Sequence, residues 1–160
     1  MNKEILDMIA ETESLDKSVK ERIEKIAPSL WYILENLFYY GNDLDIELPV
    51  ANKSFRVYRL TGEESSIHIY EIERKRINFL RTDTAEWPLF RIVNKPDGAF
   101  SISCSYEADD LKGLEMVVGE ATKIVMEKVY NKKKTATERI EAVDKIEDIV
   151  LGAPVVNENI

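Results

Sequence analysis

Histidine and cysteine each occur once in the chain, as His68 and Cys104. Mechanisms that need two histidines, such as twin-histidine phosphoesterases or the helical zinc-protease motif, are therefore closed to it. One thiol permits neither a disulfide within the chain nor a thiolate cluster for zinc or an iron–sulfur centre. His68 falls in a run read as a strand, where a lone histidine usually packs, although imidazole is also the commonest general base. Cys104 alternates with Phe100 and Ile102 along a strand. A thiol so placed behaves as a small hydrophobe unless a cation lowers its pKa. A Cys–His pair would need the two strands to meet in space, and neither residue carries a glycine-rich elbow.

Phosphate chemistry fares no better, because Gly62, Gly98, Gly113 and Gly119 lack the spacing of a dinucleotide fingerprint or a Walker loop. Asp43, Asp45 and Glu47 alternate without the glycine or ligand pattern of a calcium loop, and read instead as a charged edge that resists strand pairing. Any two acids can meet in a fold, so a carboxylate pair stays open. For an enzyme built on acids and arginines the candidates are Glu71, Glu73, Arg74 and Arg76. The same run, Glu73-Arg74-Lys75-Arg76, with Arg56, Arg59, Arg81, Arg91, Tyr58, Tyr70 and Phe79, has the ingredients of a single-strand nucleic-acid platform. The overall charge of −8 opposes that use, and nucleic acid is not the expected partner.

Two groups of residues point instead to protein contacts. Ser29 to Tyr40 reads as a helix with Trp31, Tyr32, Phe38, Tyr39 and Tyr40 spread round its circumference. These residue types dominate binding hot spots, while an all-round apolar helix is also what a central core helix looks like. Near the C-terminus, Glu138, Glu141, Asp144, Glu147 and Asp148 place closely spaced negative charge on a helix, interrupted by Arg139 and Lys145. That charge suits a basic groove on a partner, or is simply a solvated face.

These residues must be positioned by a fold of modest size. A chain of 160 residues, 44% hydrophobic and 32% charged, suits one domain with a real core. The acidity sits at the ends: residues 1–49 hold 11 acids against 5 bases and residues 107–160 hold 12 against 8, while residues 50–106 hold 7 against 9. Neither a signal peptide nor a membrane span is visible, and one cysteine suits a reducing compartment, so a cytoplasmic protein is expected.

Hydrophobic period divides the chain into helix, strand and helix again. Asn2–Glu13 and Ser14–Ile26 read as two amphipathic helices, the second capped by Ser14 or Asp16, with Glu21 and Lys25 as an i,i+4 pair. Pro28 forces a restart. Six strands follow at Asp45–Pro49, Phe55–Leu60, Ile67–Ile72, Ile77–Arg81, Leu89–Val93 and Ala99–Tyr106, with a sharp turn at Lys95-Pro96-Asp97-Gly98. Glu107–Asn131 forms a long helix ended by Lys132-Lys133-Lys134, and Thr135 or Thr137 caps a last one. The expectation is an α+β fold: N-terminal helices, a central antiparallel sheet of about six strands and two C-terminal helices packed on it. The domain spans residues 1–152, with a flexible tail over 153–160.

Sparse catalytic machinery and plausible contact surface rank a non-enzymatic protein-binding regulator or inhibitor first, acting on a larger protein such as a protease, a nuclease or another host machine. In bulk properties the chain is similar to the small acidic proteins that bacteria and their phages use in that way. The alternatives are a dimeric secretion-type chaperone, which usually has a helix between its strands, and the carboxylate–arginine enzyme. No metal or cofactor is expected and a protein partner is; the narrow apolar stripe of the last helix suits either docking on its own domain or pairing with a second copy as a homodimer.

Overall fold

The computed structural model describes residues 2–41 and 43–152, with the backbone alone at Tyr40 and Gly41. The residues read as a tail, 153–160, lie outside the described ones. The chain divides into two compact units, Met1–Val125 and Met126–Ile160. The first holds two helices, the whole sheet and the start of a third helix; the second holds the remainder of that helix.

Helix α1 (Lys3–Lys25) opens on Asn2, whose side-chain oxygen accepts from the Glu4 amide at 2.9 Å. It is one helix, not the expected two. Neither Pro nor Gly interrupts Lys3–Lys25, so Ser14 and Asp16 pass as interior residues rather than caps, and Lys17 pairs with Glu21 at 3.8 Å. The break before Pro28 falls as predicted, since α2 (Ala27–Gly41) starts afresh and the Leu30 amide donates to the Ile26 carbonyl at 2.9 Å. A proline in the first turn gives up only an amide that would have had no helical partner.

Among the described residues five strands, not six, form an antiparallel meander in the order β1-β2-β3-β4-β5. They are β1 (Asp45–Val50), β2 (Lys53–Leu60), β3 (Ser65–Asn78), β4 (Arg81–Asn94) and β5 (Phe100–Cys104). The expected strands Ile67–Ile72 and Leu89–Val93 are the inner parts of β3 and β4, while the expected fourth strand and the connections around it are taken up by the extension of these two strands. Arg74 pairs with Thr84, Lys75 with Asp83 and Arg76 with Thr82, so the charged run and the Thr-rich stretch are ladder rather than loop. Opposite charges and threonines across an antiparallel pair support such a ladder. The stretch read as a strand at Ile77–Arg81 is where the chain reverses: Asn78 pairs with Arg81, and Phe79 and Leu80 are the turn. The Pro-Asp-Gly turn matches its prediction. Gly98 takes a φ of 85°, its amide donates to the Lys95 carbonyl at 2.9 Å, and the Asp97 carboxylate accepts from the Ala99 amide at 2.9 Å.

Helix α3 (Ala108–Gly152) is continuous, which overturns the expectation of two C-terminal helices. Lysines are good helix formers, and the two threonines read as caps satisfy themselves inside the helix. Thr135 donates to the Asn131 carbonyl at 3.0 Å and Thr137 to the Lys133 carbonyl at 2.9 Å.

The core of the first unit lies on one face of the sheet. Phe55, Val57, Ile67, Ile69, Phe90 and Ile92 pack there with Leu34 and Leu37 of α2 and Leu114, Val117 and Ala121 of α3. The buried residues of α2, Ala27, Leu30, Trp31, Leu34, Leu37 and Phe38, recur at helical spacing and form one stripe. The helix is therefore covered on one side, not all round.

Candidate functional site

That single stripe sorts the aromatic residues of α2 into two sets. Trp31 is 5% exposed and Phe38 is buried beside it, so both belong to the core. The Trp31 indole donates to Glu35 Oε2 at 3.1 Å, meets the Phe100 ring at 6.1 Å between centroids, and carries the Arg59 guanidinium over its face at 5.6 Å. Tyr32 and Tyr39 are 68% and 66% exposed and stand two turns apart on the opposite side. They border an open cleft of about 470 Å³ with Glu35, Leu44 and Arg59, in which Arg59 pairs with Glu35 at 3.2 Å. The Tyr40 side chain lies outside the described residues.

The acidic residues of α3, Glu138, Glu141, Asp144, Glu147 and Asp148, are all exposed and belong to the second unit. At 100° per residue Glu138, Glu141, Asp144 and Asp148 share one side of the helix, while Glu147 sits with Val143 and Val150 on the other. The two sets of candidate residues thus lie in different units.

The sheet holds the remaining candidates, with Arg56, Tyr58, His68 and Tyr70 on its open face. Tyr58 lies between His68, stacked at 4.7 Å and 1°, and Tyr70 at 5.7 Å, with Arg56 over its ring at 4.8 Å. The Tyr58 ring is thus packed by three of its own neighbours. Several of the cations are matched as well: Arg56 pairs with Asp45 at 2.7 Å and Glu86 at 3.3 Å, Lys53 with Glu71 at 3.3 Å, Arg81 with Asp83 at 2.9 Å, and Arg74 with Glu47. A single-strand platform needs free ring faces and unneutralised cations, and these pairings consume several of both.

His68 and Cys104 line the same cleft of about 350 Å³. Burial pushes the Cys104 thiol up, and burial together with Arg91 pulls the His68 imidazole down, so both groups favour their neutral forms. An activated thiolate–imidazolium pair needs the opposite shifts. The Ser66 hydroxyl sits 2.9 Å from His68 Nε2.

The depressed imidazole makes a prediction with a definite sign. In the native state His68 takes up a proton less readily than in the unfolded chain, whose ordinary value is 6.5. The contribution of His68 to stability is therefore complete above that value and is lost as pH falls through the window below it. Urea unfolding at about pH 7.5 and about pH 5.5 should show a decline that His68→Gln flattens. An identical decline in the variant would assign it to carboxylates. Asp45, held low by its hydrogen bonds with Arg56, loses its contribution only below 3.8.

Of the four residues put forward for an enzyme, Glu71 has both carboxylate oxygens engaged, Oε1 by Lys53 at 3.3 Å and Oε2 by the Trp87 indole at 3.0 Å. Glu73 and Arg74 border the same cleft, of about 530 Å³, and Arg76 is exposed on the adjoining ladder. Among the described residues no three His, Cys, Asp or Glu side chains gather as a ligand set, and no helix is long and apolar enough to cross a membrane.

Sequence reasoning missed the most distinctive surface. From Glu73 to Glu86 every side chain is exposed, so the distal parts of β3 and β4 form a two-stranded arm with no buried face. At its tip Phe79 is 80% and Leu80 is 84% exposed. The turn is held by the Asn78 side chain, which accepts from the Leu80 amide at 2.9 Å. Hairpin turns of this length favour Asn-Gly or Asp-Gly, and neither packing nor backbone geometry asks for Phe-Leu. The legible signal was the apolar group Ile77, Phe79 and Leu80 set between the charged run Glu73-Arg74-Lys75-Arg76 and Arg81, with no alternating partner. No family model matches this chain, and no match was found among curated proteins or among solved structures.

Proposed function

We propose that this chain is a non-enzymatic regulator or inhibitor that binds a larger protein, and that it does so with the β3–β4 arm. The observation that carries the reading is the tip: two large apolar side chains held in water at the end of a ribbon that adds nothing to the core. An isolated ribbon is marginal on its own, and exposing Phe79 and Leu80 earns no folding energy, which leaves recognition as the use for them. Seating both in an apolar pocket would contribute roughly 3–5 kcal/mol from area alone, before the costs of association. Tyr32 and Tyr39, facing outward from α2 over their cleft, are a second contact surface of the hot-spot type.

The meander connects every pair of neighbouring strands without an intervening helix, which favours the regulator over the secretion-type chaperone. Affinity capture with the wild-type chain and with Phe79→Ser/Leu80→Ser tests the reading. One stoichiometric partner, recovered by the wild type and lost by at least tenfold with the tip variant, is the expected result. Recovery of many unfolded clients, or of the same partner by both baits, would contradict it.

A further inference from the structure

We propose that residues 126–152 are a self-association element, which pairs antiparallel with the same segment of a second copy about a two-fold axis near Thr137 and Glu138. The proposal is independent of the role given to the arm. This part of α3 spans roughly 40 Å at about 1.5 Å per residue. Met126, Val129, Ala136, Ile140, Val143 and Val150 follow an alternating three-and-four spacing, the seam of a coiled coil, with Lys133 and Glu147 filling its two remaining positions. All of these side chains are exposed. A helix of this kind draws its stability from packing its apolar stripe on something.

Charge identifies the occupant. Residues 127–134 carry 4 bases against 1 acid, and residues 138–148 carry 5 acids against 2 bases. A parallel, in-register pair would set basic block on basic block, with Lys133 facing its own copy and Glu147 facing its own copy inside the seam. Like charges so placed oppose association. The antiparallel pair sets each basic block on an acidic one. In that register Met126 faces Val150 of the second copy, Ala136 faces Ile140, and Val129 faces Glu147. Lys133 then lies one layer from Glu147 of the second copy, so the two polar seam positions neutralise each other. Ala136, the smallest residue of the seam, falls next to the axis, where the helices can approach most closely. The segment is complementary to itself in one orientation only.

Sedimentation equilibrium of the full chain in the micromolar range should give twice the 18.5 kDa chain mass. Ile140→Asp/Val143→Asp should halve it while the near-ultraviolet circular dichroism of the sheet and aromatic core stays unchanged, since both residues are exposed. A wild-type monomer at tens of micromolar, or a variant that remains dimeric, would overturn the proposal. Orientation is read separately from nitroxide pairs in a Cys104→Ala background. Glu138→Cys should give a short distance between copies and Lys128→Cys a distance of roughly 30 Å, from about 1.5 Å per residue on each side of the axis. Two short distances would mean a parallel pair and would equally overturn it.

Discussion

Replacing Trp31 with alanine is expected to destabilise the protein by about 3–5 kcal/mol, the usual cost of removing a buried indole, whereas Tyr32→Ala or Tyr39→Ala should change stability by no more than about 0.5 kcal/mol. Neighbouring residues of one helix thus divide by roughly an order of magnitude. Trp31 loses its packing against Phe100, and its removal also releases Glu35, which accepts from the indole, and Arg59, which lies over the ring. The Arg59 Nε is already buried without a hydrogen-bond partner, so the loss of the indole leaves that guanidinium less well compensated. Tyr32 and Tyr39 are both about two-thirds exposed and bury little surface to lose. Urea unfolding of the three variants measures the contrast. A Tyr39→Ala variant as unstable as Trp31→Ala would mean that α2 is covered on both sides.

Gly113→Leu is expected to cost a further class of stability, about 1–3 kcal/mol or more, by overpacking. Gly113 lies where α3 crosses the sheet, and a Cβ built there meets Leu89 Cδ1 at 2.9 Å and Phe55 Cε1 at 3.5 Å. Leu89 and Phe55 are buried, so neither can swing into solvent to make room. Gly113→Ala separates the causes: alanine gains about 1 kcal/mol of helix propensity over glycine, which offsets the small displacement of Leu89, and the variant should unfold close to the wild type. Leucine has the same propensity advantage and no space for its branches. Thermal unfolding of the pair decides it, and a stable Gly113→Leu would show that the helix stands further from the sheet than these contacts indicate.

Much of the fold was legible because local rules and tertiary packing agreed. Pro28 marked the restart of α2, Pro96-Asp97-Gly98 marked a turn, and alternation marked β1, β2, β5 and the inner parts of β3 and β4. The failures share a physical origin. Ser14, Thr135 and Thr137 are residues that cap helices when a helix must end, but nothing in their surroundings required an end, and the two threonines bonded back to carbonyls of their own helix. The arm escaped because alternation reports a strand with one face on a core, and residues 73–86 have no such face. Its turn escaped because Phe79 and Leu80 are not turn residues, and only Asn78 hinted at the reversal.

The candidate site was legible only by residue type. Aromatics in Ser29 to Tyr40 were visible, but which of them face outward depends on the stripe that the sheet covers, and Trp31 and Phe38 fell inside it. The acids of α3 were visible, whereas their opposition to the lysines of the preceding turns mattered only once the helix proved continuous. Tyr106 could not have been singled out at all. It holds a φ of 58°, uncommon for a bulky side chain, with a buried hydroxyl that has no partner, at the junction between β5 and α3.

The account rests on Phe79 and Leu80 being kept for contact with another molecule and not for folding. Denaturant unfolding of Phe79→Ser/Leu80→Ser tests that most directly: the predicted midpoint and slope match the wild type to within about 0.5 kcal/mol. A loss of about 2 kcal/mol or more, the scale of a vacated core position, would place the two side chains among the packing residues and remove the reason for assigning them a partner.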